Sequence, residues 1–283
     1  MKTTRTGKLL ILFFTSASIF GLSDKELGLF RAVLAGNLTG VQNALDAKVT
    51  PNIKEPQMSR TPLHAAAQLG NIEIAKALIG KKADLNAKDN SGSTPLHYAV
   101  SNGRADMVVL LAKSKANVNA ANNLGATPLH FAVQGGESVI VKNLIAAKAN
   151  VNAKNKNDRT PLQTAAYDGR AEIVKLLLES KADVNAKSNI GGTPIFFAAM
   201  QGHAEVVDLL IAAKANVNAQ DKDGVSALHA VADGGQLNIV NSLIEAKAKI
   251  NIKDNKGRTP LDYAKKNNHL NVVEALKSAG AEE

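Results

Sequence analysis

Cysteine and tryptophan are absent from the 283 residues, and aromatic side chains make up only 4%. Without cysteine there is no disulfide framework and no thiolate zinc site, so packing alone must hold the fold together. With few rings, the core has to be thin and built from Ala, Leu, Val and Ile. Hydrophobic residues, at 45%, are numerous enough to supply it. Sparse aromatics also leave little for base stacking, which argues against nucleic acid as a partner. No nucleophile elbow, Walker loop, dinucleotide fingerprint or HExxH motif occurs, so neither an enzyme nor a cofactor is expected.

Long apolar runs are scarce as well. The first eight residues carry Lys2, Arg5 and Lys8 and no acid. Residues 9–14 are continuously apolar, and weaker apolar character continues to Leu22. Small residues Gly21 and Ser23 precede Asp24 at the spacing of a signal-peptide cut, so residues 1–23 read as a secretory leader. That stretch is too short for a comfortable membrane span, and no other run approaches the ~20 apolar residues a span needs. The expected mature chain is soluble and is secreted or periplasmic, with export toward a host also open. The formal charge is +9. It falls to about +6 without the leader, which suits an acidic partner.

What is abundant is repetition. Thr61-Pro62-Leu63-His64 recurs at Thr94, Thr127, Thr160 (with Gln163), Thr193 (with Phe196), Ser226 and Thr259 (with Asp262), each start 33 residues after the last. Thr is read as a helix N-cap, Pro as the first helical residue, and His as the side chain that reaches back to the cap. A short Ala-rich helix ends near Gly70, Gly103, Gly136, Gly169, Gly202 and Gly235, with Asn268 in the last unit. Those positions suit a left-handed backbone. A second helix follows, for which Ile173, Val174 and Leu177 form the apolar face while Glu172 and Lys175 point away. An extended phrase such as Ala182-Asp183-Val184-Asn185 and a turn such as Asp221-Lys222-Asp223-Gly224 complete the unit.

Cap, helix, glycine turn, helix and hairpin in 33 residues resemble the ankyrin repeat. The resemblance implies an all-α solenoid, a stack of helix-turn-helix units with projecting β-hairpin loops, in which neighbours bury each other's apolar faces. The units fall at 61–93, 94–126, 127–159, 160–192, 193–225 and 226–258. Residues 24–60 form a degenerate N-terminal repeat with its connecting hairpin, and residues 259–283 form a polar C-terminal cap. At a helix spacing of 8–10 Å, eight units would extend roughly 70 Å.

The family resemblance further implies a protein-binding scaffold that acts as a monomer and grips its partner with hairpin tips and the concave face of the first helices. Carried onto this chain, that face holds Met58, Arg60, Leu69, Leu124, Gln134, Arg159, Tyr167, Ile190, Met200, Val225 and Arg258. Apolar side chains at such exposed places are candidates for an interface core, with Tyr and Arg favoured as hot spots. The six histidines fall into two repeated slots, which points to capping rather than to catalysis or metal binding.

One feature departs from the family pattern. Lys82, Lys115, Lys148, Lys181, Lys214 and Lys247 stand where the family usually has glycine; Lys48 fits the same slot, and only Gly280 keeps glycine. A left-handed backbone there would cost about 1 kcal/mol per lysine relative to glycine. A cation at a helix C-terminus recovers roughly 0.3–1 kcal/mol. The row either caps helices or offers a secondary electrostatic edge for an anionic polymer or membrane surface. Asn37-Leu38-Thr39 is a glycosylation sequon in the turn of the first unit.

Overall fold

The computed structural model describes residues 21–282, so all but the last three residues of the expected leader lie outside the described residues. Contacts divide the chain into two compact units, one up to Ala149 and one from Asn150 onward. The first contains α1 (Asp24–Leu34), α2 (Leu38–Asp46), α3 (Pro62–Leu69), α4 (Ile72–Gly80), α5 (Pro95–Ser101), α6 (Ala105–Lys113), α7 (Pro128–Gly135) and α8 (Ser138–Ala146). The second contains α9 (Pro161–Tyr167), α10 (Ala171–Glu179), α11 (Pro194–Gln201), α12 (Ala204–Ala212), α13 (Ala227–Asp233), α14 (Leu237–Glu245), α15 (Pro260–Lys266) and α16 (Leu270–Ser278). Within each unit, the first helix of a repeat packs on the first helix of the next, and second helices pack on second helices. Among the described residues no helix is long and apolar enough to cross a membrane.

The helices start and stop where local chemistry requires. The reach-back half of the cap is the tight one: the Thr61 N–H donates to His64 Nδ1 over 3.0 Å and the Thr94 N–H to His97 Nδ1 over 3.1 Å. Since Nδ1 accepts, Nε2 carries the proton, and His64 donates it to the Ser93 carbonyl at 3.1 Å, His97 to Ala126 at 3.1 Å. One imidazole therefore caps its own helix and ties down the next hairpin. Gln163 does the same with an amide, accepting from the Thr160 N–H at 2.8 Å and donating to Gly192 O at 2.8 Å. Burial lowers the pKa of His64 and His229, and brings His97 down to about 4, despite the carbonyls that favour the charged form. Thr193 departs from the pattern. Phe196 offers no acceptor, and the buried Thr193 hydroxyl has no protein partner.

Helix pairs turn at Gly70, Gly103, Gly136, Gly169, Gly202, Gly235 and Asn268, all with φ between 57° and 78°. The core is aliphatic, as the composition demanded: Leu63, Ala66, Ile74 and Leu78 in one repeat and Leu162, Ala166, Ile173 and Leu177 in another are fully or nearly fully buried. Each such Leu or Ile contributes about 1.5–3 kcal/mol on burial.

The hairpins are tighter than the resemblance implied. Each closes on a pair of backbone bonds, as where the Asp89 N–H donates to Ser93 O and the Gly92 N–H to Asp89 O, both at 3.0 Å, and among the described residues one isolated β-bridge joins Gln220 and Ser226. A side-chain oxygen does the remaining work. Asp89 Oδ1 accepts the Ser91 and Ser93 N–H groups at 2.9 and 2.8 Å, and Asn122 Oδ1 accepts those of Leu124 and Ala126. An Asx turn of this kind replaces ladder bonds, so no extended strand is needed.

Candidate partner-binding face

Neighbouring hairpins in a unit are stitched tip to tip. The Asn90 N–H donates to Met58 O and the Asn123 N–H to Ser91 O, both over 2.9 Å. In the second unit the Asn189 N–H donates to Asn157 O and the Lys222 N–H to Ile190 O. The main chain of each tip is thus satisfied internally, and its side chain is left to face outward. Met58 is 45% exposed, Leu124 68% and Ile190 48%. At the ends of the first helices, Leu69 and Met200 are exposed, and so is Gln134. These six of the expected positions are available to a partner.

The other five are engaged or half covered. Arg60 Nε bonds the buried Glu55 carboxylate at 3.1 Å. Arg258 Nε donates to Asp254 Oδ2 at 2.8 Å, a second guanidinium nitrogen donates to the Tyr263 hydroxyl at 2.7 Å, and the group lies 4.6 Å from the Tyr263 ring centroid. Burial opposes the Asp254 charge, but bonds from Arg258 and Tyr263 prevail and hold its carboxyl well below the usual range. Burial and the Asp254 charge push the Tyr263 hydroxyl up to about 12. Arg60 and Arg258 therefore lock their own hairpins. A signal was present in the sequence: a carboxylate stands five and four residues before each of them.

Arg159 sits over two rings, 5.2 Å from Tyr167 and 4.6 Å from Phe197. Phe197 is fully buried and Tyr167 half-buried, so the cluster forms a rigid base beside the exposed Met200. Gly192 makes room for it, since a Cβ there would lie 2.9 Å from the Phe197 ring. Ser188 replaces the Asx residue of that hairpin, and its buried hydroxyl has no protein partner. Val225 is half-buried.

Every lysine of the repeated slot is left-handed, with φ of 64–72° from Lys48 to Lys247, as glycine would be. All are exposed, and none makes an ion pair among the described residues. The turned backbone presents a carbonyl: Asn52 Nδ2 donates to Lys82 O at 3.2 Å, and Asn152 Nδ2 to Lys181 O at 3.3 Å. The same asparagines accept from the next extended phrase, Asn52 from the Asp84 N–H and Asn152 from the Asp183 N–H, both at 2.7 Å. A different lysine series is spent on stitching. Lys54 Nζ bonds Lys88 O at 3.1 Å, Lys88 Nζ bonds Ala121 O at 2.9 Å, and Lys187 Nζ bonds Gln220 O at 3.2 Å. Asn37 is committed too, capping α2 by accepting the Gly40 N–H at 2.9 Å, which leaves the sequon amide little freedom.

The family profile of Ankyrin repeats matches the chain in three copies, over residues 29–122, 110–188 and 189–283. The chain belongs to the ankyrin-repeat family. Such repeats are generally protein-protein interaction modules, and proteins built from them are typically non-enzymatic scaffolds.

Proposed function

We propose that the protein is a monomeric scaffold acting outside the cytoplasm, which binds a partner protein through its hairpin tips and the exposed ends of its first helices. One observation carries the reading. Of the seven exposed large hydrophobics among the described residues, five (Met58, Leu69, Leu124, Ile190 and Met200) lie at tips or first-helix ends. Tip-to-tip bonds fix the backbone at Met58 and Ile190, an Asx turn holds Leu124, and Leu69 and Met200 sit within helices, so little ordering cost falls on binding. The test is affinity capture by the intact secreted chain and by a Leu124→Asp, Ile190→Asp, Met200→Asp variant. A protein held by the first and lost by the second supports the reading, provided both melt alike. Equal capture overturns it.

The unpaired, left-handed lysines favour a second reading, an edge for an anionic polymer or membrane surface. On that reading Lys148→Gln, Lys181→Gln and Lys214→Gln together weaken binding and flatten its salt dependence. Unchanged affinity would remove it.

Location outside the cytoplasm rests on the leader pattern. The helix beside it adds a constraint. Ser23 caps α1, accepting the Glu26 N–H while Glu26 accepts the Ser23 N–H at 2.8 Å. A cut before Asp24 removes that box, at a cost of about 1 kcal/mol to the first helix. The intact mass of secreted chain settles the point, and a mass equal to that of residues 1–283 sinks the leader reading.

A further inference from the structure

The second helices of the first unit carry a groove that the hairpin-face reading does not use. It lies between α6 and α8, has a volume of about 340 Å³, and is lined by Val109, Ala112, Lys113, Asn143, Ala146 and Ala147. Three departures from the repeat create it. Ala112 stands where α4, α8, α10, α12 and α14 carry Ile79, Ile145, Leu178, Ile211 and Ile244, so a whole branched side chain is missing from the floor. Val109 stands where other repeats carry Lys76, Lys142, Lys175 and Asp208. Val139 stands where they carry Glu73, Asp106, Glu172 and Glu205, and it is 60% exposed. Val139, Asn143 and Ala146 follow at i, i+4 and i+7, so they share one stripe of α8. Solvent-facing slots that are charged elsewhere are thus apolar here, on the two helices that flank the cavity.

The charge around the groove is polarised. No acidic residue lines it. Lys113 lines one end, and Lys115 and Lys148 follow just beyond the C-termini of α6 and α8, all three exposed and without an ion-pair partner among the described residues. Asp106 and Glu137 stand at the opposite end, at the N-termini of the same helices.

We propose that this groove docks an amphipathic α-helix of a partner protein, with an aliphatic stripe on the groove floor and carboxylates in its first turn facing Lys113, Lys115 and Lys148. The helices flanking the groove have nine residues each, about 14 Å, which matches roughly two to three turns of a guest helix. Carboxylates belong in the guest's first turn because they complement its own dipole there. The guest then runs antiparallel to α6 and α8, and all three dipoles are favourably arranged.

The probe is a fluorescent helical peptide of about 14 residues with leucines at i, i+3, i+4 and i+7 and three glutamates in its first turn. It is titrated against the full chain, with a control peptide carrying lysines in place of those glutamates. The proposal expects binding of the acidic peptide and not of the basic one. Ala112→Ile refills the floor with the side chain that other repeats already accommodate, and it should weaken binding about tenfold or more. Lys113→Glu with Lys115→Glu should do the same. The Leu124→Asp, Ile190→Asp, Met200→Asp variant should bind the peptide as wild type does, which separates this surface from the hairpin face. Equal binding to Ala112→Ile, equal binding of the two peptides, or no binding at all overturns the proposal. Tighter binding of dodecanoate at the same site, also lost in Ala112→Ile, overturns it in favour of an anionic amphiphile.

Discussion

At the scale of single residues, the histidine of the cap shows how one side chain can be read correctly in role and incompletely in consequence. Its reach back to Thr follows from the spacing. Its second bond, from Nε2 to the next hairpin, joins residues 29 apart in sequence and is visible only in three dimensions. The two bonds together demand a neutral ring. His97 has its pKa lowered to about 4, chiefly by burial, against 6.5 in the unfolded chain. Between those values the unfolded state binds the extra proton, so stability is full above about pH 6.5 and is lost as pH falls toward 4. The loss attributable to His97 is at most about 3 kcal/mol. His97→Gln keeps both bonds, as Gln163 demonstrates, and cannot titrate. Urea denaturation at pH 7 and at pH 4.5 should show a smaller acid loss for His97→Gln than for wild type. Equal losses would show that the ring titrates normally. The lysine row allows a second test. Lys115 has φ of 72°, so Lys115→Gly removes a left-handed strain of about 1 kcal/mol and should raise the denaturation midpoint. A lower midpoint would mean that the ammonium group stabilises the helix end by more than the strain costs. Arg60 and Arg258 make contacts that the slot pattern does not show. Hot-spot statistics favour arginine, but a buried carboxylate a few residues earlier had first claim on each.

At the scale of elements, helix positions were legible because their punctuation is chemical. Pro62, Pro95, Pro128, Pro161, Pro194 and Pro260 each open a helix, and a left-handed glycine or asparagine ends each helix pair's turn. The asparagine rungs were not legible. Asn52, Asn152 and their repeats look like ordinary loop polar residues until the next repeat's N–H arrives within 2.7 Å. Glycine turns also hide two different demands. At Gly169, with φ of 68°, an added Cβ would lie 2.6 Å from the His203 ring, which donates to Tyr167 O across the turn. At Gly257, with φ of 78°, a Cβ would meet nothing within 4 Å. Gly257→Ala should therefore cost only the backbone strain, about 1 kcal/mol. Gly169→Ala should cost that and the displacement of His203 with its hydrogen bond, about 1 kcal/mol more or greater. Thermal melts of the pair measure the difference. Equal melting temperatures would show that the ring swings aside freely.

At the scale of the molecule, the candidate face was legible as a set of slots but not as a set of available side chains. Periodicity says which slot each residue fills, whereas availability depends on what the neighbouring repeat brings. The α6–α8 groove lies outside the family's usual face, and its signal was an irregularity, Ala112 among Ile and Leu, rather than a motif. The same neighbour dependence governs stability. In a stack where each repeat contacts only its neighbours, stability is close to a sum of unit and interface terms. Within the second unit, Leu210 on α12 and Leu276 on α16 are equally and completely buried. Leu→Ala costs about 2–5 kcal/mol at either site if the structure stays closed. At the C-terminal end the chain has a cheaper response. Helices α15 and α16 make their main contacts outside their own pair with α13 and α14, so they can fray together and leave the rest intact. Helix α12 has α10 on one side and α14 on the other, and it cannot open without exposing both. Native-state hydrogen exchange should therefore show Leu276→Ala losing protection only across residues 260–278, with a small change in the main urea midpoint. Leu210→Ala should lower that midpoint and reduce protection from residues 171 to 245. Matching exchange patterns for the two variants would mean that the unit unfolds as one cooperative body, and the pairwise account of its stability would fail.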